Sequence, residues 1–361
     1  MKILHVLYSG LGGHGNVFFS MVRANTQHEF IFEALFNGIE ELRSEYKKNC
    51  GDMGIQWNFI KKKPGLDIIY YKSLVRIIKK SDAEIIFLHS SAYILPAIHA
   101  NLLSKQKKKI LIRETQANNL KKRSEWRWLS MAFLLANKVV FLSEEYRKEV
   151  QKKLHGLYRK NKVEIIPNGI DLTIFQPAEN IKDTIIIGMQ SRLTNNKDHV
   201  TLLHAFALLK EQGHNNIKLK IAGDGTCKQE LMLLTQKLKI ENDVFFTGIL
   251  EEREVAKFLQ QLTIYIHASF GETMSTALMQ AMACGLPIIA SDVPGINNMI
   301  EENYTGILVP VKNAQLMAEA INHLLNNRSF AEELALNALS FAKLNYSNLT
   351  MFKRYKEVFT A

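Results

Sequence analysis

The chain has 361 residues, 47% of them hydrophobic and 22% charged, a composition typical of globular proteins and a length that favours two domains. No run of about 18 apolar residues occurs, so we expect no transmembrane helix. The three cysteines, Cys50, Cys227 and Cys284, are widely spaced, which argues against a disulfide framework or metal cluster and favours a reduced, cytoplasmic compartment.

Positive charge is concentrated in the first half of the chain. The net charge is +11, yet residues 1–168 hold 29 Lys and Arg against 15 Asp and Glu, which leaves 17 against 20 for the rest. So basic a half indicates an anionic partner, either a phospholipid surface, a phosphorylated lipid or glycan, or nucleic acid. The alternative is an ordinary solvated surface. We expect no nucleic acid, because no aromatic stacking platform or nucleic-acid-binding motif is present.

Short apolar runs alternate with amphipathic stretches along the whole chain. Five runs from KILHVLYS to KVVFLS predict strands in the first half, and six from TIIIGMQ to GILVP predict strands in the second. Their nearly continuous apolar character indicates burial on both faces, as in parallel sheets covered by helices. The first run superficially suits a signal peptide, but His5 interrupts it and a glycine loop follows, so we interpret it as a strand.

This alternation predicts an α/β fold with two facing Rossmann-like, doubly wound parallel-sheet domains. The turn-rich stretch PNGIDLTIFQPAENIKD separates the two arrays, so we place the domains at residues 1–170 and 171–344. Ligands of such sheets bind outside the carboxyl ends of the strands. We therefore expect the ligand to lie between the two domains.

Two predicted strand ends are followed by residues that suit a phosphate. The loop SGLGGHGN contains Gly12 and Gly13, and such glycines let the backbone approach a phosphate or sugar closely. In MQSRLTNNKDHV, Arg192 and Lys197 precede a predicted helix, where two cations suit a diphosphate leaving group. The alternatives are glycines that only allow close packing and cations that are only solvated.

A third segment, SFGETMSTALMQAMACGLPIIAS, places an acid, Glu272, directly after a predicted strand. A helix start follows, whose first-turn amides are free to bind phosphate oxygens. Gln280 lies eight residues after Glu272, about two helical turns, so we expect it on the same side as the helix start. The alternative is a well-packed strand–helix unit. The residues that lead into the helix are Thr273, Met274, Ser275 and Thr276.

Together and in this order, these segments resemble the family 4 retaining glycosyltransferases of the GT-B type. The resemblance covers nearly the whole chain and is strongest over residues 163–310, where IIPNGID, SRLTNNKDHVTLLHAFA, IAGDG, FTG, ETMSTALMQAMACGLPIIASDVPG and TGILV stand. In the more divergent first half GLGGHG matches the family's glycine loop. The segment FKRYKEVF looks like the family's terminal helix, which would complete the first domain with residues of about 345–361.

The resemblance implies that the second domain binds a nucleotide-sugar, commonly UDP- or GDP-linked. Arg192 and Lys197 match the basic pair that holds the diphosphate, so no metal or other cofactor is required. Glu272 matches the acid that positions the hydroxyls of the donor sugar. The helix start near Met274 and Ser275 matches the part that meets the phosphates. The backbone that reads the base corresponds to Gly248, Ile249 and Leu250.

Two departures from the family pattern concern donor binding. Gln280 stands where the family has a second acid on the ribose hydroxyls, and Asn298 stands where an acid is common. A carboxylate accepts from two hydroxyls at once, whereas an amide offers one acceptor oxygen and a donor NH₂. The departures leave open an altered donor or a catalytically degenerate chain, but the retained cations and Glu272 favour activity.

The first domain gives less definite candidates. Many relatives have a histidine in the loop after the fifth strand, where the nearest equivalent here is Glu114 or Thr115. His89, which ends another predicted strand, is a second candidate to face the cleft. The alternatives are a half-buried loop histidine at 89 and a Glu114 that only pairs with Arg113.

We therefore expect retaining hexosyl transfer to a lipid-linked oligosaccharide, a lipopolysaccharide core or another surface glycan. Residues 118–138 combine cations, Trp126, Trp128 and an apolar face, which suits an interfacial helix on anionic lipid at the inner face of the cytoplasmic membrane. The alternative for this segment is a core helix with a solvated basic face. The alternative functions are a nucleotide-sugar epimerase of similar fold and a degenerate scaffold subunit of a glycosyltransferase complex.

Overall fold

The computed structural model describes residues 1–10, 13–118, 121–178 and 184–361. Within these ranges the chain divides into two compact units. Unit 1 comprises residues 1–169 and 348–361, and unit 2 comprises residues 170–347.

The strands of the described chain are short and mostly buried. In chain order they are β1 (Lys2–Tyr8), β2 (Ile31–Gly38), β3 (Gln56–Lys61), β4 (Ile85–Leu88), β5 (Lys109–Arg113), β6 (Lys138–Phe141), β7 (Val163–Ile165), β8 (Ile185–Gln190), β9 (Ile217–Ala222), β10 (Val244–Gly248), β11 (Ile264–His267), β12 (Ile288–Ser291) and β13 (Ile307–Val309).

Ten helices precede the last strand and three follow it in the described residues. In chain order they are α1 (Gly13–Ala24), α2 (Ser44–Asp52), α3 (Ile68–Lys80), α4 (Ile94–Leu103), α5 (Arg123–Leu135), α6 (Glu144–Leu154), α7 (His199–Glu211), α8 (Lys228–Lys237), α9 (Glu252–Gln260), α10 (Thr276–Ala283), α11 (Ala314–Asn326), α12 (Arg328–Asn345) and α13 (Asn348–Thr360).

Each unit contains one parallel sheet in the described residues. In unit 1 the strand order is β3-β2-β1-β4-β5-β6-β7, and in unit 2 it is β10-β9-β8-β11-β12-β13. The order reverses direction between β1 and β4, and again between β8 and β11. In sheets of this kind ligands bind at the carboxyl ends of the strands beside the reversal. This confirms the predicted α/β class and the two doubly wound parallel sheets.

Alternation of side chains along the strands explains why helices cover both faces. In β1, Ile3 and Leu7 belong to one buried cluster, whereas Leu4 and Val6 belong to a second cluster. Successive side chains of a strand point to opposite faces, so each sheet separates two apolar layers. Unit 2 likewise has two buried clusters.

The helix α13 completes one apolar layer of unit 1, although it follows unit 2 in the sequence. Its residues Met351, Tyr355 and Phe359 are buried in the cluster that also holds Phe30 and Phe87. The rings of Phe359 and Phe30 lie 5.4 Å apart at 62°, an edge-on arrangement that favours aromatic pairs. The core of unit 1 therefore depends on residues that are distant in sequence.

The sequence did not predict two strands of unit 1, β3 and β7. Most side chains of β3 are exposed, including that of Trp57 at 38%, because β3 is an edge strand. Such a strand lacks the continuous apolar run that marks the central strands. The strand β7, at the opposite edge, has only three residues.

We predict that Phe359→Ala destabilises unit 1 by about 3–5 kcal/mol, since the ring is fully buried and its removal leaves a cavity. Urea unfolding followed by hydrogen exchange should show the loss in the amides of unit 1. The control Lys353→Ala changes an exposed residue of the same helix and should leave the midpoint unchanged. Equal midpoints for the two variants would contradict the role of α13.

Candidate active site

Two loops at the carboxyl ends of β8 and β11 are joined by backbone hydrogen bonds. The amide of Asp198 donates to the carbonyl of Ala268 at 3.1 Å, and the amide of Phe270 donates to the carbonyl of Asn196 at 3.1 Å. Residues separated by about 70 positions in the sequence are thereby held side by side. The pairing places Lys197 next to the segment that carries Glu272.

Lys197, Glu272 and His267 form the centre of this site. The Lys197 ammonium contacts the Glu272 carboxylate, and His267 Nε2 lies 3.5 Å from the same carboxylate oxygen. The ammonium also lies 3.5 Å from Ser269 Oγ. The side chains of Lys197 and Glu272 are 13% and 22% exposed, so the pair is largely shielded but still open to a ligand.

Burial controls the protonation of these groups. It lowers the pKa of Lys197 from 10.5 to about 7, with a smaller contribution from the charge of Arg192. It also lowers the pKa of His267 well below 6.5, and the Lys197 charge acts in the same direction. His267 is therefore neutral at pH 7, whereas an anion bound beside Lys197 would restore the full charge of the ammonium.

Arg192 supplies a second cation close to Lys197. Its side chain is exposed, and among the described residues no carboxylate forms an ion pair with it. An exposed, unpaired guanidinium can bind a phosphate with two parallel hydrogen bonds. The structure thus brings together the three residues that the sequence predicted for the diphosphate and the donor sugar.

The start of α10 differs in detail from the prediction. Ser275 is the N-cap residue, and its hydroxyl accepts from the amide of Leu278 at 3.3 Å. The amide of Ser275 donates to Met299 Sδ at 3.3 Å, so it is already engaged. The amides of Thr276 and Ala277 are at the first two positions of α10. No carbonyl within the helix can accept a hydrogen bond from them. Of the other predicted residues, Thr273 is buried and Met274 is half-buried.

Gln280 lies inside the protein, with 1% of its surface exposed. Its Oε1 accepts a hydrogen bond from Gln190 Nε2 at 3.1 Å, which joins α10 to the end of β8. Gln190 Oε1 is buried without a hydrogen-bond partner among the described residues. The oxygen of Gln280 thus already accepts one hydrogen bond, whereas that of Gln190 accepts none among the described residues.

The segment after β10 presents an apolar side chain. Gly248 has a φ of +78°, and its carbonyl accepts from the amide of Gly223 at 2.8 Å. Ile249 is 53% exposed, whereas Leu250 packs against the core of unit 2. An exposed isoleucine beside a fixed turn offers a flat ligand an apolar contact.

In unit 1 the predicted glycine loop is only partly described. Gly12 lies outside the described residues, and Gly13 is exposed as the first residue of α1. The placement of a phosphate on this loop therefore stays a prediction.

His89 belongs to a buried chain of hydrogen bonds. Arg113 Nη1 lies 3.4 Å from His89 Nδ1, and His89 Nε2 lies 3.0 Å from His5 Nδ1. A guanidinium only donates, so His89 accepts at Nδ1 and carries its proton on Nε2, which then donates to His5. Burial lowers the pKa of His89 well below 6.5 and keeps the ring neutral. With 1% of its surface exposed, His89 is a core residue in this structure.

Glu114 is buried beside a lysine. Its Oε1 lies 3.2 Å from Lys121 Nζ, and the Tyr146 hydroxyl lies 3.5 Å from the same oxygen. Its Oε2 has no hydrogen-bond partner among the described residues. The partner of Glu114 is therefore Lys121 rather than Arg113, which instead donates to Asn168.

The segment predicted as an interfacial helix forms α5. Trp126 and Trp128 are half-buried and pack against the core of unit 1. The ammonium of Lys121 lies 5.5 Å from the centre of the Trp126 ring. These contacts correspond to the alternative for this segment, a core helix with a basic outer face.

Sequence reasoning missed two polar residues of the site, His267 and Gln190. Each is the last residue of a buried parallel strand that adjoins the point where the strand order reverses. That position was a usable signal, because polar side chains at the carboxyl ends of parallel strands commonly face the ligand.

Comparison with known protein families agrees with this geometry. The family model described as "Glycosyl transferases group 1" matches residues 171–341, and the model described as "Glycosyltransferase Family 4" matches residues 12–174. The two matches are consecutive and together span most of the chain. The chain belongs to the family 4, group 1 glycosyltransferases.

Individual members of this glycosyltransferase family match over part of their length. Alpha-monoglucosyldiacylglycerol synthase of Streptococcus pneumoniae is 30% identical over 222 residues, which are 56% of this chain and 47% of that protein. N-acetylgalactosamine-N,N'-diacetylbacillosaminyl-diphospho-undecaprenol 4-alpha-N-acetylgalactosaminyltransferase of Campylobacter jejuni is 30% identical over 187 residues, 50% of this chain and 49% of that protein. The chain thus spans about half the length of these two curated relatives.

A solved structure matches the fold of this chain over its whole length. Anabaena Alr3699/HepE, solved in complex with UDP and glucose, superposes with a TM-score of 0.84 and covers 100% of both chains at 18% sequence identity.

Among the described residues, no helix has both the length and the apolar character needed to cross a membrane.

We predict that the protein loses stability steeply below pH 6.5, because four buried histidines of the described residues are neutral when folded. Burial lowers the pKa of His5 to about 3 and of His199 to about 4, and it lowers those of His89 and His267 in the same direction. Unfolding at acid pH therefore takes up protons. Each histidine lowers the free energy of unfolding by about 1.4 kcal/mol for every pH unit below 6.5.

Urea unfolding at pH 7.5, 6.0 and 5.0 measures this slope. His199→Gln should reduce the slope of the free energy of unfolding against pH by the contribution of one histidine. His204→Gln changes an exposed residue of α7 and should leave the slope unchanged. A free energy of unfolding that stays constant from pH 6.5 to 5 would show that the buried histidines accept protons in the folded state.

Proposed function

We propose that the protein is a retaining hexosyltransferase that moves a sugar from a UDP- or GDP-linked donor to a lipid-linked or surface-glycan acceptor. The observation that carries the proposal is the Lys197–Glu272 pair beside the start of α10, at the strand ends where the sheet order reverses. Family membership supports transfer of a sugar.

In the absence of a donor, the Lys197 ammonium and the Glu272 carboxylate form an ion pair with each other. A nucleotide-sugar brings complementary groups for both residues, since its diphosphate takes the ammonium and its sugar hydroxyls donate to the carboxylate. Binding of the donor thus exchanges one ion pair for two sets of charge-assisted contacts. The complex of Anabaena Alr3699/HepE with UDP and glucose supports a donor of this class.

Stabilisation of the leaving diphosphate provides most of the catalysis in this proposal. The bond between the anomeric carbon and the phosphate oxygen breaks, and the acceptor hydroxyl forms its bond on the same face. The hydroxyl proton passes to the departing phosphate oxygen, so no nucleophilic side chain is required. Arg192, Lys197 and the amides at the start of α10 hold the charge that develops on the diphosphate. The reaction then needs no divalent metal and no other cofactor.

The Gln190–Gln280 pair takes the place of a carboxylate at the ribose. Gln280 offers its NH₂ group as a donor, and Gln190 Oε1 is the unused acceptor beside it. A ribose diol both donates and accepts, so the two amides together satisfy it. This arrangement favours an active enzyme over a degenerate subunit.

A lipid-linked acceptor is supported by the names of the relatives. One acts as an alpha-monoglucosyldiacylglycerol synthase, and another is named for a diphospho-undecaprenol acceptor. The basic first half of the chain fits a phosphorylated acceptor on an anionic surface. We place the protein on the inner face of the cytoplasmic membrane, where a nucleotide-sugar made in the cytoplasm meets such an acceptor.

The proposal is tested with a panel of UDP- and GDP-sugars, with and without a lipid diphosphate acceptor. Lys197→Ala and Glu272→Ala should each lower kcat at least about 100-fold, because each removes a group that acts on the transition state. The double variant leaves no unpaired charge, so it separates lost chemistry from lost folding. Lys237→Ala and Glu241→Ala, exposed residues of the same unit, should retain full activity.

Each alternative has its own outcome in this assay. Conversion of the nucleotide-sugar to an epimer without an acceptor would indicate an epimerase. No turnover with any donor, while folding is intact, would indicate a scaffold subunit. Inversion at the anomeric carbon, read by NMR of the product, would refute retention. Loss of activity in EDTA would refute the metal-free mechanism.

A second prediction concerns Gln280. Gln280→Glu introduces a carboxylate that accepts from the ribose hydroxyls, so it should tighten binding of the preferred nucleoside diphosphate about 10-fold. The matched control is the 2′,3′-dideoxy nucleotide, for which calorimetry should show no gain. An equal gain with both nucleotides would place Gln280 away from the ribose.

A further inference from the structure

The end of the loop between β3 and α3, together with the first turn of α3, exposes apolar side chains to solvent. Leu66 is 95% exposed, Ile69 is 75% exposed and Ile68 is 59% exposed. We call these three residues the apolar tip. Single exposed apolar residues are common, but three within four positions, one of them almost fully exposed, form a patch that water solvates poorly.

The apolar tip is held in a fixed conformation. Asp67 accepts from the amide of Lys63 at 2.9 Å through one carboxylate oxygen and from the amide of Tyr70 at 2.9 Å through the other. Lys62 Nζ donates to the carbonyl of Gly65 at 2.9 Å. The Tyr70 hydroxyl anchors the start of α3 to Asn37, at 2.6 Å. The exposed side chains therefore sit on an ordered support.

Basic residues surround the apolar tip and continue along α3. Residues 61–80 contain seven Lys or Arg and one acidic residue, Asp67. The exposed positions of α3 follow helical spacing, so the tip residues Ile68 and Ile69 lie on the same face as its cations. We call these cations the basic face of α3: Lys72, Arg76, Lys79 and Lys80. The opposite face, with Leu74 and Ile78, is buried in the core of unit 1.

We propose that the apolar tip inserts into an anionic phospholipid surface while the basic face of α3 lies on the headgroups. An apolar end beside a row of cations on one surface fits the boundary between acyl chains and anionic headgroups. A protein partner fits less well, because a specific protein interface takes about 20–30 residues a side. We therefore assign the membrane contact to this surface instead of α5, because the tryptophans of α5 pack against the core.

The inference deepens the proposed function by naming the surface through which the enzyme would reach a lipid-linked acceptor. It is tested without donor or acceptor, so it can fail while sugar transfer stands. Co-sedimentation of the full chain with vesicles of phosphatidylcholine alone, or with an equal share of phosphatidylglycerol, gives the partition coefficient. We expect at least about 10-fold stronger binding to the anionic vesicles, and weaker binding at high salt.

Two double variants separate insertion from charge. Leu66→Ser/Ile69→Ser and Lys72→Glu/Arg76→Glu should each lower the partition coefficient about 10-fold or more. The matched controls are Leu336→Ser/Leu344→Ser, which changes exposed leucines of α12, and Lys47→Glu/Lys48→Glu, which reverses exposed lysines of α2. The controls should bind as the unchanged protein does.

Three results would overturn the proposal. They are equal binding to the two kinds of vesicle, unchanged binding by both test variants, and equal losses in the test and control variants. Folding is checked by thermal unfolding, which should not shift because every changed side chain is exposed. Transfer to a water-soluble acceptor is measured in parallel, and it should be the same in all variants if they differ only in membrane binding.

Discussion

One buried carboxylate, that of Asp198, determines where the reactive groups of unit 2 lie. One oxygen accepts from the Thr201 hydroxyl at 2.7 Å at the start of α7, and the other accepts from the amide of Lys312 at 2.9 Å. Its own amide donates to Ala268 at the end of β11. Three segments distant in sequence therefore meet at one residue, directly next to Lys197. This framework holds the two loops together and places Lys197 beside Glu272.

A glycine in the turn after β12 lets that turn approach the backbone of Glu272 closely. Gly295 has a φ of +81°, and a β carbon there would lie 1.8 Å from the carbonyl oxygen of Glu272. The amide of Glu272 also donates to the carbonyl of Pro294 at 3.2 Å, so the turn after β12 fixes the backbone that carries the acid. The position of Glu272 is thus set from both sides by backbone contacts. These contacts fix the backbone and not the side chain, which suits a carboxylate that exchanges Lys197 for sugar hydroxyls.

The sequence predicted the sheets and the chemical groups better than their contacts. Central strands are continuous apolar runs, and Lys197 and Glu272 lie in the loops that follow two such runs, so both were found. The edge strand β3 was missed because half or more of its side chains face solvent. The engagement of Ser275 with Met299, and of Gln280 with Gln190, joins residues far apart in the chain, which local patterns do not encode. For Trp126 and Trp128, amphipathic spacing did not distinguish lipid from the protein core, because both are apolar environments.

The discontinuous composition of unit 1 has a consequence for the order of biosynthesis. Residues 1–169 leave the ribosome before residues 348–360, so their apolar layer stays incomplete until the later segment has been made. Unit 2 is continuous in sequence, so it can fold before Tyr355 and Phe359 are available to complete the core of unit 1. During that interval the exposed layer around Phe30 and Phe87 is a natural target for chaperones. Synthesis of α13 therefore sets when the core of unit 1 can be completed.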